Sequence, residues 1–175
     1  FGRFGAAAGE LNLPTAVAVG PGGQIYVTEA GNGRVQVFSA DGRPLKLLAP
    51  SGEQALRNPF GVAVGADGAV WVADADAGRV VKLDAAGNVA AAVGSPGGAP
   101  GQLNKPAHLS LIDGKLYVAD MGNRRIQVFD PANLAAAPQV VPVPFGHAPC
   151  SVTRDAAGNF FVPTWAGLQK FDASW

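Results

Sequence analysis

Leu13-Pro14-Thr15-Ala16-Val17-Ala18-Val19 returns as Asn58-Pro59-Phe60-Gly61-Val62-Ala63-Val64 and again as Lys105-Pro106-Ala107-His108-Leu109-Ser110-Leu111. A weaker copy reads Ala148-Pro149-Cys150-Ser151-Val152. The four prolines stand 45, 47 and 43 residues apart. A turn glycine follows each proline at Gly23, Gly68, Gly114 and Gly158, and then an aromatic followed by Val at Tyr26, Trp71, Tyr117 and Phe161. An acid and, five residues on, an arginine come next: Glu29 with Arg34, Asp74 with Arg79, Asp120 with Arg125. The fourth copy loses both and reads Thr164-Trp165-Ala166-Gly167. Several features recurring in phase at one period define a repeat protein before any single element is assigned.

Within each unit the apolar residues alternate at period two, as in Val35-Gln36-Val37-Phe38 and Ile126-Gln127-Val128-Phe129, which is the pattern of short strands. Asp41-Gly42, Asp67-Gly68 and Asp113-Gly114 are hairpin-type turns. Strand a follows the proline, strand b carries the aromatic, strand c follows the arginine, and a looser strand d covers 45–48, 88–93 and 139–143. A meander of four strands cannot bury both of its faces alone. Stacked radially, such meanders become the blades of a propeller. The spacing therefore predicts an all-β chain of four-stranded antiparallel blades, a single domain over 1–175. Its repeats run approximately over 10–48, 55–94, 102–145 and 146–175, with Trp71 packed between blades.

Pro-x-Gly-Val-Ala-Val, then Gly-x-x-Tyr/Trp-Val-x-Asp, then Gly-Asn-x-Arg-Val/Ile-Gln-Val-Phe resembles the NHL repeat. The stretch Met121-Gly122-Asn123-Arg124-Arg125-Ile126-Gln127-Val128-Phe129 carries the resemblance best. The resemblance implies a propeller of six blades, so four repeats read as a partial arc of a larger ring. It also implies a binding module, in a sensor or scaffold role, outside the cytoplasm. The Ala-, Gly- and Pro-rich composition points to a bacterial source. Residues 1–5 have the character of a strand d. The chain starts at Phe1 without a charged-then-apolar leader and reads as a mature product or a fragment of a larger chain.

Composition narrows the partners. Thirteen basic residues balance thirteen acidic ones, so no overall field draws in nucleic acid or an anionic membrane. No apolar run is long enough for a membrane helix. The single cysteine, Cys150, excludes an internal disulfide. RNA binding, which some resembling propellers perform, needs clustered cations and exposed stacking rings. Here Arg34, Arg79 and Arg125 are offset by nearby acids. Nucleic acid is therefore not an expected partner.

The acid–arginine pairs flank the b–c turns and so share one rim of the disc with the d-to-a connections. They can serve there as a charged recognition surface, or brace the turns by accepting backbone amides. The spacing favours the brace. His108 stands two residues after its proline, and His147 three residues before Cys150. Imidazole and thiolate bind zinc, but one His-x-x-Cys without a second pair is a weak ligand pattern. In the resembling peptidyl-amidoglycolate lyases the zinc histidines directly follow the blade proline. Thr15, Phe60, Ala107 and Cys150 hold that place here, so no metal, cofactor or catalytic set is carried over. The expected function is non-catalytic binding of a protein or small molecule on the rim, with Glu29, Arg34, Asp74, Arg79, His108, Asp120, Arg124, Arg125, His147 and Trp165 as candidate contacts. The alternatives are a metal-dependent lyase or hydrolase and an RNA-binding domain. The Gly-rich run 97–101 reads as a flexible loop.

Overall fold

The computed structural model describes residues 2–173 and 175. Two short strands, β1 (Arg3–Phe4) and β2 (Glu10–Leu11), pair in parallel. Three antiparallel meanders follow, each in the simple order a-b-c-d. Blade 1 is β3 (Pro14–Val19), β4 (Ile25–Glu29), β5 (Arg34–Phe38) and β6 (Pro44–Leu48). Blade 2 is β7 (Pro59–Val64), β8 (Val70–Asp74), β9 (Arg79–Leu83) and β10 (Val89–Val93). Blade 3 is β11 (Pro106–Ile112), β12 (Lys115–Asp120), β13 (Arg125–Phe129) and β14 (Gln139–Pro142). Blade 4 has three strands, β15 (Thr153–Arg154), β16 (Phe160–Thr164) and β17 (Gly167–Phe171). Helix is confined to three-residue 3-10 turns among the described residues.

The prolines sit where the repeat places them. Pro14, Pro59 and Pro106 open strand a and pair with Glu29, Asp74 and Asp120. Pro149 makes the equivalent bridge to Thr164. Lacking an N–H, proline suits the start of a strand better than its middle. The inner strands β3, β7 and β11 lie side by side, so each blade docks its strand a on the next. Gly61 marks one such approach. A Cβ there would sit 2.5 Å from the Ala107 carbonyl oxygen and 2.7 Å from His108 Cα, which leaves room for glycine alone.

The core consists of three layers between blades rather than one centre. Val35, Val37 and Leu48 meet Val70, Val72 and Leu83 between blades 1 and 2. Trp71, Ala73 and Val80 meet Leu109, Leu116 and Phe129 between blades 2 and 3. Tyr117, Ile126 and Val128 meet Val152, Phe160 and Val162 between blades 3 and 4. Period-two alternation sends each set to one face of its sheet. Together the blades form an arc.

The reading of 1–5 as a strand d needs correction for its described part. Arg3–Phe4 pairs with Glu10–Leu11, not with the outer side of a strand c. Phe1 lies outside the described residues. The reason is visible farther along, where Pro96 bridges Leu103 in the same parallel manner. Residues 2–13 are thus the connection leading into blade 1, matching 94–105 before blade 3. Among the described residues β17 pairs with β16 only, so 2–4 and 168–171 do not close a ring.

Candidate functional site

On the rim formed by b–c turns and d-to-a connections, the acid–arginine pairs lie inside the protein. Glu29, Asp74 and Asp120 have no solvent exposure. Arg34 Nε donates to Glu29 Oε2 at 2.5 Å, Arg79 Nε to Asp74 Oδ2 at 3.1 Å, and Arg125 Nε to Asp120 Oδ2 at 2.8 Å. The far side of each guanidinium grips the connection that enters its own blade. Arg125 donates to the carbonyls of Gly98, Ala99 and Gln102. Arg34 does the same to Ala6, Ala7 and Glu10. Gln127 completes the clamp, donating to the Gln102 carbonyl and accepting from the Gly101 amide; Gln36 repeats this with Glu10 and Gly9. Each acid also caps the entry to strand a, as Asp120 does for the Asn104 amide and Asp74 for those of Arg57 and Asn58.

The pairs form the brace that the spacing favoured, and the reading of 97–101 needs correction. Glu29, Arg34, Asp74, Arg79, Asp120 and Arg125 brace the scaffold, and their shared charges face each other rather than a ligand. The run 97–101 is not a free loop, because five of its neighbours' polar groups hold it: Arg125, Gln127, Gln102, Asn123 and Leu103 all bond to it. The signal was present in the sequence. Gly-x-x-Gly-x-x-x-Gly-Glu/Gln-Leu-Asn-x-Pro describes both 2–14 and 94–106, but at the turns the glycines read only as flexibility. Blade 2 has a different connection at 49–58 and carries Val81 where its neighbours have glutamine. There Arg79 reaches the carbonyls of Gln54 and Ala55 instead.

Blade 4 explains its own departure. Thr164 pairs with Gly167, so its b–c turn is only Trp165-Ala166. In blade 3 the partners are Asp120 and Arg125, with four residues between them. The shortened turn has no place for the brace and puts Trp165 on its tip, 81% exposed. On the adjoining turn Arg124 is exposed and holds φ 55°. Gly33 and Gly78 fill that position in blades 1 and 2, where the next connection passes too close for a Cβ, at 2.9 Å from the Leu56 and Leu103 carbonyl oxygens. The shorter connection into blade 4 leaves space above Arg124, and Gly146 lies beside its guanidinium. A non-glycine residue in this region costs about 1–2 kcal/mol.

The inner strands line an open groove of about 700 Å³ along the axis, bordered by Val17–Val19 positions of β3, Val62–Val64 of β7, and 151–154 of blade 4. His108 of β11 borders the same groove. It is half-buried, edge-on to Phe60 with ring centroids 5.7 Å apart. Burial holds its imidazole below the ordinary histidine value. His147 and Cys150 are also half-buried, in the connection into blade 4. Among the described residues no three His, Cys, Asp or Glu side chains are grouped to hold a metal ion.

Residues 11–38 match the NHL repeat family. No curated protein matches the sequence. Among solved structures, a streptogramin B lyase superposes with a TM-score of 0.68 at 20% identity, covering 91% of this chain and 54% of that one. A virginiamycin B lyase from Staphylococcus aureus, solved with quinupristin, gives 0.65 at 17% identity, over 91% and 55%. A nidogen–laminin complex gives 0.74 at 20% identity, over 94% and 61%. The chain spans a little over half the length of these proteins, and at such identities the likeness concerns the fold. Residues 11–38 thus carry an NHL repeat, and with the same meander, proline and brace recurring along the arc the chain has the fold of a partial β-propeller.

Proposed function

We propose that this chain is a protein-binding propeller module whose contact surface is the rim at blades 3 and 4. The observation that carries the reading is the pair of side chains released there: Trp165 on a shortened turn and Arg124 in a left-handed conformation at a glycine position. Tryptophan and arginine are the residues that most often dominate protein interfaces. Arg124 adjoins the braced Asp120–Arg125 pair and the turn under Trp165 is closed by Thr164, so both anchors stand on short, bonded turns and lose little freedom on binding. A propeller of similar fold occurs in the nidogen–laminin complex, which fits such a role.

A partner purified through this chain and then measured with it in isolation tests the reading. Trp165→Ala and Arg124→Ala should each weaken the complex at least about tenfold, equal to about 1.4 kcal/mol. Lys115→Ala, on the opposite face, should leave it unchanged. Unaltered affinity in both rim variants would remove the rim from the binding surface.

A second reading, an enzyme acting at the mouth of the axial groove, is favoured by His108, whose burial keeps a neutral imidazole beside that groove. Turnover of quinupristin, followed by mass spectrometry and abolished by His108→Ala, would support it over the binding module.

A further inference from the structure

The face opposite the rim carries the a–b and c–d turns, and each pair of blades opens there as a wedge. Two of the three wedges are filled by an apolar side chain from the segment following strand c of the later blade. Between blades 2 and 3 the filler is Leu134, from the long connection 130–138, packed against the cluster that holds Trp71, Leu116 and Phe129. Between blades 3 and 4 it is Trp175. Its ring stacks on Phe160 at 4.2 Å between centroids and on Tyr117 at 5.9 Å, with interplanar angles of 26° and 21°.

The wedge between blades 1 and 2 has the equivalent wall positions, aliphatic at two of the three, and beyond Val89 at the start of strand d no filler among the described residues. Tyr26 stands where Tyr117 stands, Val70 where Phe160 stands, and Leu83 where Phe171 stands, by strand register. The segment that should supply the plug is the tight turn Asp84-Ala85-Ala86-Gly87-Asn88. Its side chains are too small to reach in, and Gly87 already lies against the backbone of Leu48. What remains is an open cleft of about 530 Å³ with a mixed lining, Tyr26, Val70 and Leu83 on its apolar side and Asp67, Lys82 and Asp84 around its edge. That volume lies within the usual range for binding sites, and its apolar side suits a ring. Lys46 reaches across its edge to the Ala85 carbonyl, tying the two blades together.

We infer that this wedge is a docking pocket for an aromatic side chain, an indole above all, presented by a surface loop of a partner protein. The chain's own Trp175 shows the chemistry the site accepts. A tyrosine and an apolar strand residue form the walls, the ring stacks between them, and the polar backbone of the inserting loop stays at the surface. This site lies on the face away from Trp165 and Arg124 and is independent of the rim.

The test is a titration of the isotope-labelled chain with a cyclised peptide of residues 169–175, followed by NMR. N-acetyltryptophanamide and the same peptide with Trp175→Ala serve as controls. The expected result is saturable shifts of backbone amides in 24–27, 69–71 and 84–87, with the peptide at least tenfold tighter than the free amide. The Trp175→Ala peptide should give none. Ala85→Trp, an exposed position that can carry a built-in plug, should abolish binding while the chain stays folded. Absence of saturable shifts, shifts elsewhere, or persistence in Ala85→Trp would overturn the site. Equal binding of peptide and free amide would also overturn it, because the wedge would then be a small-molecule cleft.

Discussion

Arg125 shows how one residue links sequence to fold. Its side chain is nine-tenths buried, and the Asp120 carboxylate it meets is completely so. Removing one member of such a pair strands the other without its counter-charge, at a cost of about 3–5 kcal/mol. Arg125→Leu should therefore lower stability by that amount in a urea titration, and free the 97–101 backbone to exchange its amides. Arg79→Leu should cost less, because Arg79 is more exposed and has no glutamine to complete its clamp. A loss below about 1 kcal/mol for Arg125→Leu would rule out the brace. His108 makes a second prediction at this scale. Its imidazole titrates lower in the folded chain than in the unfolded one, so the unfolded chain binds more protons as pH drops. The contribution is constant above the unfolded value of about 6.5 and falls as pH decreases below it. The melting temperature should decline from pH 7 to pH 5.5, and His108→Gln should flatten that decline.

At the scale of the element, strands and turns were readable because their causes are local. Period-two alternation, the blade proline and the Asp-Gly turns act over a few residues, and β3 to β14 lie where these signals put them. The connections were less readable. Holding 2–13 and 94–105 takes an arginine and a glutamine more than twenty residues downstream. A window over the glycines alone cannot see that clamp. The same limit hid the wedge fillers, since the destinations of Leu134 and Trp175 depend on how blades stack. Trp71 was legible from its phase, and the structure buries it between blades 2 and 3 with 2% exposure. Trp71→Ala should cost about 3–5 kcal/mol by leaving a cavity in that layer. A denaturant titration showing under about 1 kcal/mol would mean that the neighbouring blade closes over the gap.

For the whole molecule, the decisive fact is that each blade is a half-finished interface until another blade covers it. The face of blade 1 away from blade 2 shows what an uncovered one looks like: Val17 and Val19 are 65% and 67% exposed, while Val62 of blade 2, the counterpart of Val17, is 5% exposed. At the other side of the arc Leu168 of β17 is exposed, and among the described residues no strand d shields that edge. An apolar sheet face beside an open strand edge favours association in water, through area as well as hydrogen bonding. The 175-residue chain by itself should therefore self-associate, with a sedimentation coefficient that rises over a concentration series. Charges on the uncovered face should oppose this at little cost in stability, because Val17 and Val19 bury so little. The double variant Val17→Lys with Val19→Lys should shift the series towards the monomer while its melting temperature stays within a few degrees. If the unmodified chain sediments as a monomer at every concentration, the exposed faces are not sticky enough to matter, and blade-to-blade burial contributes less to this fold than its three core layers indicate.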